Sequence, residues 1–134
     1  MKKKPRILIV RSKYNDTKHM ETMAHLVFDA NEESEEFEYF TIVVNGAFEI
    51  PVTIAKNINK FDGFIAIGII IKGETPNFSL ISQAITNGLM ELSISSKKPI
   101  GNAILTCLTK KQAAERMFKG EEAAKAVIDV LRQN

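Results

Sequence analysis

The segment Gly68-Ile-Ile-Ile-Lys-Gly-Glu-Thr-Pro-Asn-Phe78 constrains the fold of this chain more than any other. A run of apolar β formers stops abruptly in a polar, glycine-containing loop, and a helical repeat of apolar residues begins a few positions later. In an open α/β sheet, the junction between the carboxyl end of a strand and the start of a helix is where ligands bind. The strand itself, residues 63–71, is apolar at nearly every position. That pattern suits a strand buried on both faces of a parallel sheet, since a strand with one wet face would alternate.

The rest of the chain repeats this alternation of strand and helix. Further strands are expected at residues 6–10, 37–44 and 99–108. Met20, Met23, Ala24, Val27 and Phe28 recur at helical spacing, with Asp16 or Thr17 placed to cap that helix. The acidic residues 31–36 read as a solvated connection. Pro51 suits the first turn of a short helix ending near residue 58, because its missing N–H costs nothing there. Ile81, Ala84, Ile85, Gly88, Leu89 and Leu92 mark the longest helix, ending near residue 95. Thr109-Lys-Lys-Gln112 has the form of a capping box and opens a helix through Met117. Gly120 is expected to break it, and Ala123, Ala124, Val127, Ile128 and Leu131 build the last helix. The alternation implies βαβ crossovers and a three-layer α/β/α sandwich around a central parallel sheet of about four strands. With 134 residues and no linker or repeat, the chain is expected to form a single domain over residues 1–134.

Composition excludes several classes of function. Eighteen Lys and Arg against sixteen Asp and Glu leave a net charge of +2, which argues against nucleic acid as the main partner. The basic start, residues 1–6, precedes an apolar stretch too short for a signal peptide, and no run is long enough to span a bilayer, so no membrane association is expected. Cys107 is the only cysteine. It can form no intrachain disulfide and no cysteine-based metal site, which fits a reducing cytoplasm.

Candidate ligand groups fall at the carboxyl ends of the strands: Tyr14 and Asn15 after the first, Phe48 and Glu49 after the second, and residues 72–77 after the third. An aromatic ring, a carboxylate and a helix N-terminus at one sheet edge suit a flat polar ring with a hydroxylated tail and a phosphate. The residues alone leave open both a small-molecule site and a plain structural edge.

Gly46-Ala-Phe-Glu-Ile-Pro51 followed by Ile71-Lys-Gly-Glu-Thr75, in this order and spacing, closely resembles the paired signatures of the lumazine synthases. The resemblance runs from Tyr14-Asn15 to Gly120. It implies a flavodoxin-like layout and the joining of 5-amino-6-(ribitylamino)uracil to 3,4-dihydroxy-2-butanone 4-phosphate in riboflavin biosynthesis, with no cofactor and no metal. It also implies a homo-oligomer, a pentamer or multiples of it, with each site shared between subunits.

The same resemblance assigns residues to roles. Tyr14 takes the place of the aromatic that stacks on the pyrimidine. Ala47, Phe48 and Glu49 match the segment that holds the ring and the ribityl chain, and Ile69, Ile70 and Ile71 match a strand end that meets the pyrimidine. Glu74 and Thr75 match the positions that bind the phosphorylated substrate. Arg116 matches a phosphate-binding arginine supplied by a neighbouring subunit; its planar guanidinium suits a bidentate contact. Lys119 aligns with a basic residue nearby, and Asn102 lines the neighbour's pocket. Each also has a plain structural alternative: a loop tyrosine, a carboxylate near a helix start, core isoleucines, or an exposed cation on a helix.

Asn77 is the departure from the pattern. The family carries a histidine at this position, assigned to proton transfer, and an imidazole with a pKa of about 6.5 suits a proton shuttle at neutral pH. Asparagine can orient a substrate or a water molecule but cannot take up that proton. His19 and His25 belong to the first helix and read as ordinary helix residues. Two functions follow: a slower synthase, or a relative without turnover that binds flavin-like or pyrimidine ligands or forms a shell.

Overall fold

A computed structural model describes residues 4–30 and 37–133; the connection expected at residues 31–36 lies outside the described residues. The elements run β1 (Arg6–Ser12), α1 (Thr17–Asp29), β2 (Glu38–Val44), a 3-10 turn (Ala47–Glu49), α2 (Ile50–Lys56), β3 (Gly63–Ile71), α3 (Asn77–Ser96), β4 (Ile100–Cys107), α4 (Lys110–Ala114) and α5 (Lys119–Leu131). The strands form one sheet in the order β2-β1-β3-β4, and every pairing is parallel. This is the expected α/β architecture.

Residue alternation along the strands builds two cores. On one face, Ile7 and Ile9 of β1, Ile65, Ile67 and Ile69 of β3, and Ala103, Leu105 and Cys107 of β4 pack against α1, α4 and α5. On the other, Leu8 and Val10 of β1 with Phe64 and Ala66 of β3 pack against Ile50 and Ile54 of α2 and Ile85 and Leu89 of α3. Successive strand side chains point to opposite faces, so a central strand covered on both sides must be apolar throughout. That is why β3 lacks alternation.

One buried charge ties α1 to the sheet. Glu21 is 3% exposed; its Oε1 accepts from Arg11 Nε of β1 at 2.5 Å, and its Oε2 accepts from Thr41 Oγ1 of β2 at 2.8 Å. His25 Nε2 lies 3.0 Å from the same carboxylate, with its ring packed on Tyr39 at a centroid distance of 4.6 Å. His25 is therefore a structural residue at the α1–β2 seam.

Several local expectations are corrected. Gly120 does not break a helix but lies in the first turn of α5, while α4 ends at Ala114 rather than running through Met117. The reason is packing: a Cβ on Gly120 would fall 2.2 Å from the Met20 carbonyl oxygen, so glycine lets α5 touch the main chain of α1. Neither Asp16 nor Thr17 caps α1 through its side chain; the Thr17 hydroxyl instead donates to the Ser12 carbonyl. The Thr109 side chain accepts from Gln112 N at 3.2 Å, but the Gln112 side chain accepts from Leu108 N rather than closing the reciprocal box. Ala84 is exposed rather than on the packed face of α3.

Candidate active site

Chain direction places the crevice. The connection after β1 leads across one face of the sheet toward β2, whereas β3 lies on the other side of β1 and its following helix, α3, covers the opposite face. Strand order therefore reverses between β1 and β3, and the carboxyl ends of these two strands flank the opening where such sheets bind ligands.

The register leaves that opening unfilled. β1 and β3 pair only as far as Arg11 with Ile67, while β3 continues beside β4 until Ile71 meets Cys107. Along residues 68–71 the edge of β3 that faces β1 thus has no strand partner. Ile69 is buried, whereas Ile70 and Ile71 are half-buried. Core packing by the side chains and an open backbone edge coexist in the same residues.

The 3-10 turn Ala47–Glu49 roofs this gap, touching β1, β3 and α3. Gly68 permits the approach: a Cβ there would lie 3.3 Å from Ala47 Cβ, 3.3 Å from Ile50 Cδ1 and 3.4 Å from Ser12 Oγ. Glu49 Oε1 accepts from the Gly46 N–H at 2.9 Å, so one oxygen fixes the turn and orients the carboxylate. The second oxygen makes no hydrogen bond among the described residues and remains an acceptor. Phe48 projects outward, 63% exposed.

Tyr14 stands on the loop after β1, 58% exposed, with Lys13 Nζ 5.3 Å from its ring centre. The next two residues, Asn15 and Asp16, hold φ of 63° and 62°. Consecutive left-handed residues are unfavourable except for side chains such as Asn and Asp, and they turn the chain sharply from strand into helix. Across the gap, Glu74 and Thr75 are exposed in the loop before α3, and Asn77 is the first residue of that helix. The first N–H groups of a helix have no intrahelical acceptor, so an anion is favoured there.

Three candidates lie elsewhere. Asn102 pairs with Ala66, five residues before β3 ends, which is roughly 16 Å short of the carboxyl edge at about 3.3 Å per residue. Its Oδ1 accepts from Ile104 N at 3.0 Å. Arg116 follows α4, on the face of the sheet opposite α2 and α3, and donates through an Nη to the Gln112 carbonyl at 2.8 Å. Lys119 opens α5 and pairs with Glu122 at 3.2 Å. Within one chain, Arg116 and Lys119 lie on the face of the sheet opposite α3, the helix that Thr75 precedes.

Two groups at the site edge carry no motif, and residue pattern alone does not reveal them: Lys13, beside the Tyr14 ring, and Ser12, beneath Ala47. A cleft of about 210 Å³ adjoins the site between Asn15, Asp16, Ile69, Ile71 and α4. A recess of about 340 Å³ between α3 and α5 lies at the amino end of β4, away from the carboxyl edge. No group of three or more His, Cys, Asp or Glu side chains among the described residues could hold a metal. No helix among them is long and apolar enough to cross a membrane.

Residues 4–134 match the family model for 6,7-dimethyl-8-ribityllumazine synthase. The chain belongs to the lumazine synthase family. It is 34% identical to the 6,7-dimethyl-8-ribityllumazine synthase of Agrobacterium fabrum over 140 aligned positions, covering 96% of this chain and 93% of that protein. Identity to the corresponding protein of Erythrobacter litoralis is 37%, over 95% of this chain and 94% of the relative. For the Thermobifida fusca protein it is 34%, over 90% and 75%. Membership in the lumazine synthase family, a family of enzymes, bears out the reading of the paired motifs and the α/β fold they implied.

Proposed function

We propose that this chain condenses 5-amino-6-(D-ribitylamino)uracil with L-3,4-dihydroxy-2-butanone 4-phosphate to give 6,7-dimethyl-8-ribityllumazine, phosphate and water. The observation that carries this reading is the convergence of both family motifs on the gap between β1 and β3, with Ala47–Glu49 over the open edge of β3.

In this reading the pyrimidine stacks on Tyr14, whose ring face offers dispersion and quadrupole attraction to a planar heterocycle. Its polar edge meets main-chain groups of Ile69, Ile70 and Ile71. The free oxygen of Glu49 accepts from ribityl hydroxyls. Thr75 and the first N–H groups of α3 receive the phosphate, with Glu74 contributing through its backbone because its carboxylate would repel an anion. The arylamine attacks the ketone and water leaves, giving an imine. Loss of the C3 proton and of phosphate leaves an enol that tautomerises to a ketone; the ribityl-bearing nitrogen adds to that ketone and a second water leaves, closing the ring.

Asn77 supplies orientation but no proton transfer at neutral pH. Proximity does most of the work, and the departing phosphate can itself accept and deliver protons. A positioned acid or base is worth about 10²–10⁴-fold, so a site lacking one retains the gain from holding two reactants together.

The working unit in this proposal is a homo-oligomer, a pentamer or a multiple of it, acting in the cytoplasm. Arg116 and Lys119, on the face of the sheet opposite α3, and Asn102, partway along β4, serve the pocket of the next chain in this reading. Helix α3 supports this, because it is apolar on two sides: Ile85 and Leu89 pack inward, while Leu80, Met90 and Ile94 are 58–68% exposed. The test is to mix purified protein with both substrates and follow lumazine absorbance against a protein-free control. Turnover well above that background supports the synthase; a background rate with tight pyrimidine binding replaces it with a non-catalytic binding relative.

A further inference from the structure

Ser12 ends β1 at the point where strand order reverses, and it is 4% exposed. Its carbonyl is occupied by the Thr17 hydroxyl. Its own hydroxyl, however, makes no hydrogen bond among the described residues. The oxygen itself is not fully enclosed, so a molecule outside the core can reach it.

The position of that hydroxyl shows where the partner belongs. Ser12 follows Leu8 and Val10 on the α2/α3 face of β1, the face that carries the turn Ala47–Glu49. Its Oγ is 3.4 Å from the point where a Cβ on Gly68 would lie, and Ala47 Cβ is 3.3 Å from that same point. Pairing between β1 and β3 has stopped one residue earlier, at Arg11 with Ile67, so no strand hydrogen bonds fill the seam beside it. The hydroxyl and the open edge of β3 therefore face one gap, two residues before Tyr14.

We propose that Ser12 is a substrate-binding residue whose hydroxyl reads the polar edge of the heterocycle that stacks on Tyr14. A serine hydroxyl donates one hydrogen and accepts through oxygen, matching a ring edge that presents both carbonyl and N–H groups. An alanine at this position fills nearly the same space and offers neither. Ser12 thus determines affinity for the pyrimidine and leaves the phosphorylated ketone untouched. This assignment rests on the lumazine synthase reading of the site.

The test is Ser12→Ala, with the dissociation constant for 5-amino-6-(ribitylamino)uracil measured by calorimetry, the KM for each substrate, and a thermal melt. Loss of one neutral hydrogen bond predicts a rise of roughly three- to ten-fold in the pyrimidine constant. The KM of the butanone phosphate and the melting temperature should be unchanged. Unaltered pyrimidine affinity overturns the assignment, and so does a lowered melting temperature with equal losses for both substrates, which makes Ser12 a packing residue. If wild-type protein does not bind the pyrimidine, the lumazine synthase reading falls and takes this assignment with it. If wild type and variant bind it equally, only the role of Ser12 is lost.

Discussion

Gly120 of α5 lies against the main chain of Met20 in α1, with room for a hydrogen but not for a carbon: a Cβ would sit 2.2 Å from the Met20 carbonyl oxygen and 2.9 Å from its carbonyl carbon. At an unconstrained helical position, replacing glycine by alanine gains about 1 kcal/mol. Here the sign reverses. Because the obstacle is backbone, Gly120→Ala must push two helices apart, and we expect a net loss of about 3 kcal/mol, the upper end for overpacking. A thermal melt at pH 7 checks this; an unchanged or raised melting temperature would show that α1 and α5 part freely.

The Glu21 carboxylate makes stability depend on pH in a specified direction. Burial by itself raises its pKa, but hydrogen bonds from Thr41 and Arg11 and the positive charges of Lys18 and His25 outweigh it, leaving the group below its ordinary value of 4.5. A carboxyl whose folded pKa is lower than its unfolded one stabilises the fold above the unfolded value and loses that contribution as pH falls through the folded value. Wild type should therefore lose stability steadily as pH drops below 4.5. Glu21→Gln should cost about 3 kcal/mol at pH 7, as expected for breaking a buried pair, and flatten the acid limb. Urea midpoints at neutral and acid pH for both proteins decide it. Parallel curves would remove Glu21 from the acid response.

The backbone plan was legible because burial imposes period. β3 reads as a doubly covered strand from its unbroken apolar run, and Met20, Ala24 and Phe28 read as the packed side of α1; all three are buried. What misled was the use to which small or polar residues are put. Gly120 as a close-packing residue and glycine as a helix breaker are the same letter, and only the partner main chain tells them apart. Thr17 looks like a cap, but its hydroxyl serves the carbonyl of Ser12. Among the site residues, those in the two motifs came together since both motifs end strands at one sheet edge. Asn102 and Arg116 did not, because their places in this chain lie partway along an edge strand and on the opposite face. Ser12 was invisible because a lone serine at a strand end carries no pattern.

Asn77 opens α3 at the site edge and is exposed, so a larger polar ring fits there without disturbing the core. Asn77→His should raise kcat, by up to about 10²-fold if proton transfer limits the present rate. It should also bring into the pH–rate profile an ionisation near ~6.5, which asparagine cannot supply. Stopped-flow or steady-state lumazine formation across pH checks both. A histidine that changes neither rate nor profile would mean that water or the leaving phosphate already carries the proton at full speed.

The Arg116 side chain is exposed and, among the described residues, hydrogen-bonds only to the Gln112 carbonyl, so Arg116→Ala should leave the fold intact. Removing a charged hydrogen-bond donor from a phosphate is worth roughly 10–100-fold, which should appear in the KM of the butanone phosphate and not in that of the pyrimidine. Tyr14→Ala should do the opposite, because the ring meets the heterocycle alone. The pair then tests where each site is built. If Arg116 serves the next subunit, oligomers reassembled from a mixture of the two variants contain some interfaces that combine the intact Tyr14 of one parent with the intact Arg116 of the other. Those interfaces should turn over both substrates normally, and the mixture should exceed either variant alone. Sites completed within one chain give no such recovery, because every chain carries one of the two lesions. A mixture no better than its parents, with exchange of subunits demonstrated, would return Arg116 to the role of a surface cation on its own chain.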